Sequence, residues 1–165
     1  MTAVHTIVDM QLGPVTLVAD GEAITGLYFP RHWYRPGDLG ERAESPLLSE
    51  AAGQLGAYLA GERDGFDLPL ATGGNAFQER VWALLKQIPY GQTTTYGALA
   101  RQLGDKSLAQ AVGQAVGHNP ISVIVPCHRV VGSTGALTGY AGGLDRKQFL
   151  LALEEPAPVA AGRLF

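Results

Sequence analysis

Cysteine is almost missing from this chain: of 165 residues only Cys127 is one, alongside two methionines, two tryptophans and 16% charged residues. A single cysteine excludes an internal disulfide. Cys127 and the four histidines, His5, His32, His118 and His128, lack the paired spacing of a four-ligand zinc site, so no metal is expected. No stretch approaches the ~18 consecutive apolar residues of a membrane span, and no membrane partner is expected. The first residues carry no basic run followed by an apolar core, so no signal peptide is read there. With the lone cysteine, this makes the reducing cytoplasm the expected location.

What is present is ordinary globular material. Residues of hydrophobic type make up 46% of the chain, enough for a core in one domain or in two small ones packed together. The net charge of −3 is unevenly spread. Residues 1–75 hold four basic against ten acidic groups, a net −6, while residues 76–165 hold eight against five, a net +3. A polyanionic partner would therefore prefer the second half.

The first part reads as strands. His5-Thr6-Ile7-Val8, Val15-Thr16-Leu17-Val18-Ala19 and Ile24-Thr25-Gly26-Leu27-Tyr28-Phe29 are β-rich runs, and Asp20-Gly21 between the last two is a hairpin signal. Residues 30–44 show no apolar period and read as a mobile loop. Ser45-Pro46 opens a helix with Leu47, Leu48, Leu55, Tyr58 and Leu59 as its buried stripe, ended by Gly61. Phe66–Leu70 reads as a short edge strand. The expected division is an N-terminal α/β domain with a small antiparallel sheet over 1–71 and a linker over 72–75. A mainly α domain over 76–155 and a tail over 156–165 follow.

Asn75 and Gln78 form a capping-box pattern ahead of Phe77, Val81, Trp82, Leu84, Leu85 and Ile88, and Pro89-Tyr90-Gly91 ends that helix. Two short helices come next. Thr95–Leu103 is one, and the other begins at Leu108 with Ser107 as its cap and runs to Gly117. Joined by a glycine-containing turn, they read as a helix-turn-helix or as an ordinary helical hairpin. The second is lined with Ala109, Ala111, Gly113, Ala115 and Gly117. Glycine in a helix costs up to ~1 kcal/mol relative to alanine. Another surface must come close, either a packed helix or a nucleic-acid groove. The last helix is Leu144–Glu154, with Phe149, Leu150 and Leu153 as its buried face.

Cys127 lies between two apolar runs, Ile121–Val125 and Val130-Val131, with His128 beside it. It is either a buried small hydrophobe or a nucleophile served by the imidazole. On a strand, consecutive side chains face opposite ways, so direct Cys127–His128 contact is not expected.

Several motifs recur together: Ile88-Pro89-Tyr90-Gly91, Thr95-Tyr96, Ala111-Val112-Gly113, Asn119-Pro120, Pro126-Cys127-His128-Arg129-Val130, Gly139-Tyr140, Gly142-Gly143-Leu144 and Leu150-Leu151 with Glu154. In this order, from about residue 75 to 155, the sequence resembles the bacterial O6-alkylguanine-DNA alkyltransferases. The resemblance implies a single-turnover DNA repair enzyme needing no cofactor. Such a protein flips O6-alkylguanine, and O4-alkylthymine, out of duplex DNA and moves the alkyl group onto its own cysteine. It implies that Cys127 is the nucleophile, deprotonated by His128 through a water while Glu154 holds the imidazole and favours its cationic form. It also implies that Tyr96 gives a proton to the leaving base and that Asn119 ties the second short helix to the cysteine segment. The pocket would be formed by Tyr140, Gly139, Ala141, Val130 and Val116, and Arg129 would be structural. Gln110, Ala109, Gly113 and Ser133 would meet the DNA minor groove, with the protein a monomer in solution that can cluster on DNA.

Three positions depart from the family pattern. Gln110 stands where an arginine often fills the base stack, Ala141 where a serine often contacts guanine O6, and Gly117 where a basic residue is common. Each change removes a polar contact, so modest, salt-sensitive DNA binding is expected. Two other readings stay open: a non-catalytic sensor of alkylated DNA, which Cys127 argues against, and a Cys-His-Glu thiol hydrolase, which the adjacency of Cys127 and His128 argues against.

Overall fold

The computed structural model describes residues 3–32, 35–133 and 139–155. The expected tail over 156–165 and parts of the 30–44 and 132–143 loops lie outside them. Strands β1 (Ala3–Met10), β2 (Gly13–Asp20) and β3 (Ala23–Tyr28) form an antiparallel meander. Gly21 at φ +65° makes the tight β2–β3 turn, a conformation glycine adopts without steric cost. Side chains of β2 alternate between two sets of partners. Val15, Leu17 and Ala19 enter the main core, while Val18 packs with Tyr28 and Leu39 in a second cluster.

That second cluster corrects the reading of 30–44 as a mobile loop. Within its described part, Leu39 is buried and strand β4 (Glu41–Arg42) pairs parallel to β1. Gly40 O meets His5 Nδ1 at 3.0 Å, and Ala43 N–H donates to His5 O. One apolar residue gives no periodicity, so the sequence carried no sign of it. Phe66–Leu70 is likewise not a strand. Only Leu70 bridges Ile24, and the buried amide of Gln54 pairs with both backbone groups of Asp67, at 2.8 and 3.1 Å.

Helix α1 (Pro46–Leu59) starts as expected, with Ser45 Oγ accepting from Leu48 N–H at 3.1 Å. It buries Leu48, Ala51, Leu55 and Tyr58 against the sheet. Helix α2 (Ala76–Leu85) carries the full Asn75–Gln78 capping box, a feature of roughly 0.5–2 kcal/mol. It ends before Ile88, which packs from the following turn. The Trp82 indole N–H donates to Ala115 O at 2.8 Å and so fixes the next helical pair on α2.

That pair is α3 (Tyr96–Gln102), capped by Thr95, and α4 (Ala109–Gly117). Ser107 does not cap α4. Asp105 accepts from the Ser107 N–H and opens a 3-10 turn, Lys106–Leu108, that runs directly into the helix. Short strands β5 (Thr94–Thr95) and β6 (Val130–Val131) pair in parallel, and α5 (Leu144–Glu154) is the last element among the described residues. The two parts of the fold are joined at the cysteine segment, where Leu27 N–H donates to Pro120 O and Leu27 bridges Ile121.

Candidate active site

The segment from Asn119 to Val131 is built from tight turns. Ile124 N–H donates to Ser122 O at 2.8 Å around Val123, whose φ is +71°. This is a γ-turn with a β-branched residue in the left-handed region, a strain on the order of 1–3 kcal/mol. A second, inverse γ-turn follows at Pro126 (φ −80°, ψ 67°), where Cys127 N–H donates to Val125 O. Asn119 holds both turns together. Its amide donates to Val125 O at 2.8 Å and accepts from Ile121 N–H at 3.0 Å.

Residues Cys127–Arg129 form a 3-10 turn, not a strand, so the alternation expected for Cys127 and His128 does not apply. Both side chains are buried. His128 Nε2 lies 2.7 Å from Glu154 Oε2, while Nδ1 is buried with no hydrogen-bond partner among the described residues. Arg129 closes a fork on the same carboxylate, Nε to Oε1 at 2.7 Å and a terminal nitrogen to Oε2 at 3.0 Å, and donates to Ile88 O at 2.6 Å. Burial pushes Glu154 up to about 8, opposed by the Gly91 N–H. The Arg129 fork and the imidazole give it three donors, an arrangement only the carboxylate satisfies in full, and we assign it as ionised.

Burial, with the Arg129 and Lys147 charges, holds His128 well below the ordinary imidazole range. The resting ring is neutral: burial and the two cations outweigh the pull of the Glu154 carboxylate toward its cation. With Nε2–H donated to Glu154, the lone pair falls on Nδ1. Burial also pushes the Cys127 thiol up, while Asn119, Lys147 and Ser122 pull it down.

Lys147 went unnoticed in the sequence. It is fully buried, donates to Val130 O at 2.7 Å, and is held at about 8 by burial against the pull of Cys127. The buried face of α5 is Lys147, Leu150 and Glu154, whereas Phe149 and Leu153 are only partly buried. The signal was an i, i+3, i+7 stripe with a charge at each end, which invites reading as a solvated face.

Cys127 lies at a pocket of about 200 Å³ lined by Tyr96, Gly113, Val116, Gly117, Gly139, Tyr140 and Ala141. The β5–β6 pairing sets Tyr96 at the start of α3 beside this segment. A methyl group added at Gly113 would sit 3.8 Å from the Tyr96 ring. Val130 does not line the pocket; it is fully buried behind it. Two buried hydroxyls, Ser122 Oγ and Tyr140 OH, lie beside the Cys127 thiol and each other. Gln110 is exposed on α4 and Ala109 is partly buried, while Ser133 is exposed beyond β6 and remote in sequence from both.

A family model described as 6-O-methylguanine DNA methyltransferase, ribonuclease-like domain, matches residues 3–72, and one described as the DNA binding domain of the same protein matches residues 76–156. Methylated-DNA–protein-cysteine methyltransferase of Mycolicibacterium paratuberculosis is 48% identical over 158 residues, 96% of each chain. The protein of that name from Methanosarcina acetivorans is 46% identical over 153 residues, 91% of this chain and 97% of its own. Mycobacterium tuberculosis OGT, solved in complex with DNA, superposes with a TM-score of 0.87 at 46% identity, covering 92% of each chain. With both halves matched in order and relatives this similar over nearly the whole length, the chain belongs to the 6-O-methylguanine DNA methyltransferase family.

Proposed function

We propose that the protein repairs duplex DNA by moving the alkyl group of O6-alkylguanine, and of O4-alkylthymine, onto Cys127 in a single turnover. The observation that carries this reading is a buried thiol at a small pocket with a neutral, carboxylate-held imidazole next to it in the chain. Residues 72–75 are taken as the linker between the two domains.

His128 Nδ1 takes the Cys127 proton through a bridging water. Glu154 and Arg129 keep the imidazole in the accepting tautomer, and the resulting imidazolium is stabilised by the carboxylate. Lys147 stabilises the thiolate. Sulfur then attacks the alkyl carbon in line, the S–C bond forms, the C–O6 bond breaks, and its electron pair stays with the base. Tyr96 donates a proton so that neutral guanine leaves, and the proton taken up by His128 returns through water to Tyr96. The thioether is not hydrolysed, so each molecule acts once.

In this reading α3 and α4 are a helix-turn-helix whose second helix lies in the minor groove, Gln110 being its exposed side chain nearest the flipped base. Ala109 and Gly113 allow the close approach, and Ser133 contacts the flanking backbone. Tyr140, Gly139, Ala141 and Val116 enclose the base. The protein acts as a monomer that can cluster along DNA.

Intact-mass spectrometry after mixing with an O6-methylguanine duplex tests this. Wild type gains one methyl in place of a hydrogen, and folded Cys127→Ser gains nothing. A folded wild type that keeps its original mass under reducing conditions would sink the reading.

A further inference from the structure

One cation outside the Cys127–His128–Glu154 relay touches both halves of the fold. Arg146, in the first turn of α5, donates through Nε to Leu12 O at 2.9 Å, in the β1–β2 turn. It donates through a terminal nitrogen to Gly142 O at 2.8 Å, in the loop behind Tyr140 and Ala141. Its guanidinium carbon stands 4.9 Å from the centroid of Phe29, just past the end of β3. Phe29 in turn leaves no room at Gly142. A β-carbon there would fall 2.5 Å from the Phe29 ring and 2.9 Å from the Tyr140 ring. His32 completes the group, accepting from Phe29 N–H and stacking on its ring at 6.3 Å.

The pocket wall is thus a thin strip of loop between Cys127 and the N-terminal sheet. The strip ends at Gly143, which at φ +101° caps α5 with no side-chain bond of its own. Planar guanidinium donors at fixed angles can lock two carbonyls and lie on a ring at once; an ammonium cannot.

We propose that Arg146 is a positioning residue. With Phe29 it clasps the N-terminal sheet to the Tyr140–Gly142 wall and thereby fixes the alkyl group in line with Cys127. This rests on the alkyl-transfer reading above, and it gives the N-terminal domain a part in the chemistry. A displacement of the wall by about 1 Å would cost roughly tenfold or more in transfer rate. DNA affinity, which that reading assigns to α4, would stay the same.

The test combines two readouts on the full chain. Hydrogen exchange at the Gly143 amide, bonded to Tyr140 O at 2.8 Å, reports the wall whether or not transfer occurs. Single-turnover transfer from an O6-methylguanine duplex reports the chemistry, with the DNA dissociation constant measured separately. In Arg146→Met, Gly143 exchanges faster, the maximal transfer rate falls about tenfold, and duplex binding is unchanged. Arg146→Lys recovers part of the rate. Phe29→Leu reproduces the effect from the other side of the clasp, and the double variant loses little more than either single one, because coupled partners are not additive. Unchanged exchange, an unchanged rate, or fully additive losses would overturn the proposal. Wild type that never transfers would overturn the alkyl-transfer reading instead, and Gly143 exchange would still decide the clasp.

Discussion

Arg129 and His128, consecutive in the chain, reach the same carboxylate from one 3-10 turn: Arg129 bonds both oxygens of Glu154, and His128 Nε2 lies 2.7 Å from Oε2. The arginine keeps Glu154 ionised in a buried place, and the ionised carboxylate keeps the lone pair of His128 on Nδ1. Removing one member of a buried ion pair leaves the other charge unpaired. Arg129→Leu should therefore lower stability by roughly 3–5 kcal/mol. Urea denaturation would measure it, and a loss below 1 kcal/mol, the range of a surface pair, would contradict this placement.

Lys147 gives a second expectation. Its ammonium opposes the burial that pushes the Cys127 thiol up. Replacing it with methionine, similar in length and uncharged, should move the thiol's titration to higher pH, read from the rate of Cys127 carboxymethylation across a pH series. Lys147→Arg keeps the charge and should shift it less. An identical profile for wild type and Lys147→Met would remove Lys147 from the thiolate's surroundings.

Acid should weaken the fold through two imidazoles. Burial, with Arg146 and Arg35, holds His32 down at about 4, and His128 is held lower than its ordinary range by burial and two cations. In the unfolded chain both would titrate near 6.5. Below about pH 6.5 the unfolded state therefore binds more protons, and stability falls as pH drops; for His32 the window closes near 4. His32→Gln should flatten the fall in unfolding free energy between pH 7 and pH 5 relative to wild type. The comparison isolates the imidazole from the carboxyl groups, and an unchanged slope would refute it.

Gln110 is exposed on α4, at the position where the family resemblance implies a stack-filling arginine. Gln110→Arg should tighten duplex binding several-fold, with the dependence on log salt steepened by about 0.9 for one added phosphate contact. Fluorescence anisotropy at several salt concentrations would show it. Equal affinity at every salt would mean that α4 does not face the duplex as proposed.

Much of the fold could be read from local chemistry. The Ser45 and Asn75 caps, the Asp20-Gly21 turn and the hydrophobic stripe of α2 depend on neighbours in sequence, and each is found. Readings failed where a long-range partner decided. Leu39 is buried because Val18 and Tyr28 lie across the sheet from it. Phe66–Leu70 does not extend as a strand because Gln54, on a helix, takes the Asp67 backbone bonds. Ser107 lost the cap to Asp105, whose carboxylate forms the earlier turn.

The site divides the same way. Resemblance pointed to Cys127, His128, Asn119 and Glu154, and the fold brings them together. Lys147 and Arg146 were missed because charged residues near a helix start look solvated until the surrounding surface is known. Val130, which the resemblance placed in the pocket, is fully buried and is not among the residues that line it.

The Trp82–Ala115 hydrogen bond also makes the protein optically self-reporting. An indole whose N–H is fixed to the backbone of α4 senses any change in that helix through its emission, with no dye attached. The chain has one other tryptophan, Trp33, which lies outside the described residues. A Trp33→Phe protein would carry a single emitter on α2, and its stopped-flow trace could separate DNA docking from the slower covalent step.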